Sequence, residues 1–348
     1  MAICYLTGNV ITEKDDPNKN NHNSLEHIIP NALGGKICSN HVITFKANQQ
    51  LNEEVDIEFT KIFTGFVARL PINKDRESTP SFSAFHLEYN IDAVFKGGKF
   101  FPKKPFYDAE KKIIYANSKK NCNNYKTYLD KIGATSKEDK IRFMDDLAGK
   151  INIPFELKNI VFKKGIAKIA AGFATLKGIE RKNLKGIIDL ETKKIKDKIV
   201  ISPFLPTGAE ELFERNKYKS IHYPIHSLVL CGKKATGFLY CYVNLFSAFQ
   251  FYVLLDENYH GEDIYEYYIY DITGGKELTW NEYINSIPGS PDLSKKISTY
   301  RVINSENFIK NSHEHLKTKK YCHQNFHILS FFVNYTFIKQ KSKELGLL

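Results

Sequence analysis

The stretch Ser24-Leu25-Glu26-His27-Ile28-Ile29-Pro30-Asn31-Ala32-Leu33-Gly34-Gly35 constrains this chain more than any other. It sets a carboxylate beside an imidazole on a short apolar run that a proline ends and a double glycine turns. Neighbouring strand residues point to opposite faces. Glu26 and His27 therefore serve one site only where a bend or bulge brings both round to it. Phosphodiester cleavage asks for a group that holds a divalent cation on a phosphate oxygen, a group that activates water, and relief of charge on the leaving oxygen. Glu26 suits the first task. His27, titrating near neutrality, suits the second.

The residues around this stretch alternate between short apolar runs and polar turns. Cys4–Ile11 reads as a short strand or turn, and 15–24 as an Asn-dense polar loop broken by Pro17. Leu25–Pro30 and His41–Phe45 read as two strands. From Asn48 to Phe63, Leu51, Val55, Ile57, Phe59 and Ile62 recur at helical spacing. The order is strand, loop, strand, helix. Residues 66–85, with Pro71, Pro80 and a Ser/Thr-rich stretch, read as a linker or long loop. Further on, Glu88–Lys96 and Lys112–Ala116 resemble strands, and Ser136–Ala148 a short helix started by Ser136. Gly165–Leu176 is small and apolar at helical spacing, which predicts a buried helix. Ser227–Asp256 and Ile264–Ile272 carry the alternation of antiparallel strands, with Gly274-Gly275 as a turn. The tail from His323 reads as helical.

The string EHIIPNALGG, with Asn48 downstream at a helix start, resembles the HNH endonuclease family in its EHIxP…LGG branch. The resemblance covers about residues 4–60, and a weaker likeness continues in the later half. It implies a ββα-metal fold around one divalent ion, Mg²⁺ or Mn²⁺. It also implies hydrolysis of a phosphodiester, in double-stranded DNA, to a 5′-phosphate and a 3′-hydroxyl. Carried over position by position, Glu26 and Asn48 match metal ligands and His27 the base that activates water. The middle motif position falls on Ser39, Asn40 or His41, with Asn40 and His41 favoured. The setting implied by the family's usual company is restriction of foreign DNA, as in anti-phage defence.

One departure stands out. Members of this branch flank the motif with a four-cysteine zinc knuckle. Here Cys4-Tyr5-Leu6-Thr7 keeps one cysteine of the first pair and Thr44-Phe45-Lys46-Ala47 none of the second. One thiolate makes no closed tetrahedral site, so no structural zinc is expected. Apolar packing and docking onto the remaining protein must do the knuckle's work.

The expected fold is therefore α+β: an HNH module over residues 1–65, a linker or long loop over 66–85, and a basic mixed α/β domain with an antiparallel sheet over 86–348. The formal net charge is +11, and it is uneven. Residues 1–60 carry four lysines against eight acids, whereas 101–200 carry twenty-four Lys or Arg against twelve acids. Binding energy for a polyanion must then come from the middle of the chain. Its lysine pairs, 103–104, 111–112, 119–120, 163–164 and 193–194, would track a phosphate backbone if they share a face.

Other features point less sharply. His313, His315, His323 and His327 with Cys322 have spacings that also occur in zinc sites, though scattered polar positions are the commoner reading. His222 and His226 flank Pro224 and read as turn residues. Tyr265, Tyr267 and Tyr268 fit core packing better than base stacking. The six scattered cysteines argue against disulfides. No P-loop, dinucleotide fingerprint or nucleophile elbow is present. The first residues lack a basic segment followed by a long apolar one, and no run approaches the roughly 18–20 apolar residues of a membrane helix, so a soluble cytoplasmic protein is expected. A homodimer stays open. Two other classes do as well: a non-catalytic nucleic-acid-binding protein, and an effector whose C-terminal domain senses a ligand or partner.

Overall fold

The computed structural model of the chain describes residues 1–13, 20–68, 70, 72, 81–152, 160–204, 213–214 and 216–289. These fall into two compact units. One is drawn from Met1–Thr60, Pro71–Lys74 and Leu157–Leu348, the other from Lys61–Leu70 and Asp75–Glu156. The grouping joins the motif segment to the later half of the chain, where the sequence reading draws separate pieces at 1–65, 66–85 and 86–348. The C-terminal histidines, Cys322 and the expected tail helix lie outside the described residues.

In the larger unit, β1 (Glu26–His27) pairs antiparallel with β2 (Cys38–Ser39), Glu26 opposite Ser39 and His27 opposite Cys38. The intervening Pro30–Gly35 segment makes one 3-10 turn, closed by Gly34 at φ +84°. At Gly35 a Cβ would lie 2.0 Å from the Ile29 carbonyl oxygen, so the backbone folds back on itself too tightly for any side chain. The second strand is β2, not the expected His41–Phe45. Two-residue strands are too short for alternation to reveal, and 41–45 instead turns into the helix. That helix starts at Phe45 as α1 (Phe45–Leu51), widens into a π turn over Asn52–Asp56, and resumes as α2 (Ile57–Ile62). Ala47, Leu51, Val55 and Phe59 form its buried stripe.

The smaller unit begins with α3 (Thr64–Val67). Strands β3 (Ser81–His86), β4 (Ile91–Lys96) and β5 (Lys99–Pro102) form an antiparallel meander. Its core holds Ala84, Ala93, Phe95, Phe100, Ile113 and Leu147. Residues 81–85, expected as the end of a linker, therefore belong to a strand. A second sheet pairs β6 (Phe106–Asp108) with β7 (Ile113–Tyr115), and β7 in parallel with β8 (Arg142–Met144). Between β7 and β8 runs α4 (Lys119–Lys131), with Ser118 as its N-cap. A last strand, β9 (Ile151–Asn152), pairs with β3. The helix expected over Ser136–Ala148 does not form. The Asp139 carboxylate accepts from the Ser136 backbone N–H at 2.6 Å, closing a local turn. Three residues on, the chain enters β8.

Back in the larger unit, α5 (Ile160–Leu176) is the buried helix that the apolar spacing predicts. Phe162, Ile166, Ile169 and Phe173 are fully buried. Each contributes roughly 1.5–3 kcal/mol of burial. After a short hairpin of β10 (Ile188–Asp189) and β11 (Lys194–Ile195) comes the main sheet. It contains β12 (Ile201–Pro203), β13 (Ile225–Lys233), β14 (Phe238–Leu245), β15 (Phe249–Asp256), β16 (Ile264–Asp271) and β17 (Lys276–Glu277). All neighbours are antiparallel, in the order β12-β15-β14-β13-β16-β17. Strands β14 and β15 are buried along nearly their whole length. Helix α5 packs on β13, β14 and β15. Aromatic and apolar side chains including Phe204, Tyr240, Tyr242, Tyr252 and Leu254 gather in a core cluster of the same sheet. The chain of described elements ends with α6 (Trp280–Asn285), started by a Thr279/Glu282 capping box. His226, expected in a turn, sits inside β13 and is fully buried. No described helix is long and apolar enough to cross a membrane.

Candidate functional site

Helix α5 also packs on the π turn that follows α1. The approach is close because residue 165 is glycine: a Cβ there would lie 2.1 Å from the Phe59 ring. Where β1, the end of α1, the π turn and α5 meet, they leave a cleft of about 260 Å³. Its polar lining is Glu26, His27, Asn31, Asn48, Asn52, Asp56, Thr60 and Lys168. Three of the residues predicted from sequence, Glu26, His27 and Asn48, are thus brought together. Glu26 is 3% exposed and His27 half-buried, yet both border the same cleft. The Asn48 amide Nδ2 donates to Ser24 Oγ at 2.9 Å, which fixes the orientation of the carboxamide. The structure does not bring in Asn40 and His41. Both are exposed in the bend after β2, where the His41 N–H donates to Ser39 Oγ at 3.1 Å. The middle motif position is therefore not filled from the cleft lining by either of them.

Two further residues belong to this site that the sequence reading passed over. Lys168, from the middle of α5, is 3% exposed and lies 2.9 Å from Glu26 Oε1. Its ammonium also donates to Asp56 Oδ2. A buried lysine must be paired, and a lone lysine in the apolar run Ile166–Phe173 was the signal that could have found it. Asp56 was harder to single out, standing among Glu53, Glu54 and Glu58. The π turn sets the register of the segment that carries it, and such turns recur at functional sites.

Two carboxylates face one ammonium, so the trio carries a surplus negative charge in a poorly solvated place. Burial pushes the Glu26 carboxyl up; Lys168 pulls it down, Asp56 pushes it up again, and the balance stays above the ordinary value. Burial opposes the charge of Lys168, but Glu26 and Asp56 outweigh it and hold the ammonium above its usual range. The Tyr5 hydroxyl, itself buried, is driven up by burial and then by Glu26 and Asp56. Among the described residues, the Tyr5 hydroxyl and Asp56 Oδ1 are buried without a hydrogen-bond partner.

The donors fit a hard divalent ion. Carboxylate, carboxamide and hydroxyl oxygens are the ligands Mg²⁺ takes, and it characteristically uses one or two carboxylates plus water and substrate phosphate rather than a closed cage. The buried, unpartnered Asp56 Oδ1 and the surplus negative charge are consistent with that. Among the described residues no group of three His, Cys, Asp or Glu side chains is set to enclose an ion.

The segments Cys4–Thr7 and Thr44–Ala47 also meet, through Cys4 and Thr44. Cys4 Sγ accepts from the Thr7 N–H at 3.5 Å and from Thr44 Oγ1 at 3.8 Å. The Tyr5 N–H donates to the Val42 carbonyl at 3.0 Å. Arg181 then ties this loop to the body, its guanidinium donating to the carbonyls of Tyr5, Leu6 and Leu190. No family model, curated protein or solved structure matches the chain.

Proposed function

We propose that the chain is a metal-dependent HNH endonuclease that hydrolyses phosphodiester bonds in double-stranded DNA. The observation that carries this reading is the convergence of Glu26, His27 and Asn48 on one cleft, from a strand pair and the helix after it. Glu26 and Asn48 would hold a Mg²⁺ or Mn²⁺ ion. That ion would supply charge for a non-bridging phosphate oxygen and the leaving oxygen. His27 would take the proton of the attacking water. Asn52, on the same cleft, would offer its side-chain amide to a bound phosphate.

The nuclease segment is acidic, so backbone contacts must come from elsewhere. Lysines 103, 104, 111, 112, 119 and 120 of the smaller unit are exposed, as are 193 and 194 of the larger. A partner bound through them would be lost steeply with salt. Nicking of supercoiled plasmid in Mg²⁺, together with salt-sensitive binding of the same DNA, tests the reading. Binding without nicking under any divalent ion would favour the non-catalytic alternative.

One observation favours a gated form of the same activity. The body of the protein contributes Lys168, so a ligand or partner that shifts α5 would change the charge at Glu26. A cytoplasmic setting in defence against foreign DNA accords with this reading.

A further inference from the structure

Resting on the reading above, we propose that Lys168 is the resident counter-ion of the nuclease site, and that it gives up Glu26 when a divalent cation enters. The ammonium holds two carboxylates that come from different elements, Glu26 on β1 and Asp56 at the end of the π turn. Both Lys168 and Glu26 are 3% exposed, so water does little to separate the pair. Without a cation between them, the two carboxylates would repel at a cost that the burial of Glu26 raises.

The same contact limits the site. Glu26 Oε1 is engaged by Lys168, and Glu26 is the ligand on which metal binding depends. A divalent ion must therefore share or take that carboxylate against a charge already in place. Asp56 gives Lys168 somewhere to stay, since the ammonium keeps that partner when Glu26 turns to the ion. Lys168 is thus a positioning residue: it keeps the metal-free cleft assembled and weakens its affinity for the ion. Because Lys168 rides on α5, which packs against the main sheet, whatever moves that helix also sets how firmly the carboxylate is held.

The test is Mn²⁺ binding to the full chain, followed by the electron paramagnetic resonance signal of free Mn²⁺, in the wild type, Lys168→Met and Lys168→Gln. Removing a charge that competes for the carboxylate should tighten Mn²⁺ binding by about tenfold or more. If either variant unfolds in metal-free buffer, millimolar Mn²⁺ should restore its circular dichroism, because the ion replaces the missing ammonium. Equal or weaker Mn²⁺ binding in both variants than in the wild type would overturn the role of Lys168 while leaving the metal site standing. So would variants that stay unfolded at millimolar Mn²⁺ while the wild type binds the ion. No Mn²⁺ binding by the wild type or by folded variants would remove the metal-dependent reading itself, and this inference with it.

Discussion

Arg181 and Leu6 are joined across half the length of the chain: the guanidinium Nη2 donates to the Leu6 carbonyl at 3.0 Å. The same side chain holds the Tyr5 and Leu190 carbonyls. One planar fork thus fastens the loop over residues 5–6 to the rest of its unit. Arg181→Ala should cost about 2–3 kcal/mol, from lost charge-assisted bonds and stranded carbonyls. Arg181→Lys should recover little, because a point ammonium cannot reproduce the fork. Urea unfolding measures the loss, and amide exchange at Gly8, whose N–H donates to the Cys4 carbonyl, should rise with it.

The trio at the cleft predicts an order of stabilities. Lys168→Met leaves the buried Glu26 and the half-buried Asp56 without their shared cation and should cost about 3–5 kcal/mol in metal-free buffer. Glu26→Gln leaves Lys168 with Asp56, and should cost less, about 1–3 kcal/mol. Urea midpoints at unchanged slope check the ranking. A Glu26→Gln variant less stable than Lys168→Met would contradict it.

At Gly165, helix propensity and packing pull in opposite directions. Alanine is the better helix former by about 1 kcal/mol. Its Cβ, however, would lie 2.1–2.2 Å from ring atoms of Phe59, and forced repacking costs about 1–3 kcal/mol or more. Packing should win, so Gly165→Ala destabilises. Pairing it with Phe59→Leu should cost less than the sum of the two single changes, which a double-mutant cycle measures.

His226 predicts a pH dependence. Its imidazole is buried, with Nε2 donating to the Leu33 carbonyl at 2.9 Å and Nδ1 accepting from the Phe246 N–H. Burial pulls its pKa down from 6.5 to about 4, although the bond to Leu33 works the other way. Between those values the unfolded chain binds the extra proton. Stability contributed by this group should therefore fall as pH drops from 6.5 toward 4, by at most about 1.4 kcal/mol per pH unit. Thermal melts across that window should show the slope, and His226→Gln should flatten its share of it.

Parts of this architecture are legible in the residues and parts are not. Pro30, the double glycine and the adjacent Glu26 and His27 mark the site because each is a local signal. The apolar spacing of 165–176 likewise marks a buried helix. The second strand was misplaced at His41–Phe45 because a two-residue ladder has no periodicity to read. Ser136–Ala148 carries helical spacing, but Asp139 turns back on Ser136 and the chain extends along β7 instead. Asp56 was hidden because its neighbours are acidic and a π turn changes which of them faces the cleft. Lys168 reaches Glu26 only through tertiary packing of α5, which no local pattern states.

The most direct measurement is plasmid cutting by the purified full chain in Mg²⁺ or Mn²⁺, beside His27→Ala and an EDTA control. The account predicts nicking or linearisation by the wild type, its loss in EDTA, and a fall of about 10²–10⁴-fold in His27→Ala with folding and DNA binding intact. Undiminished cutting by His27→Ala, or no cutting by the wild type with either ion while it still binds DNA, would contradict it.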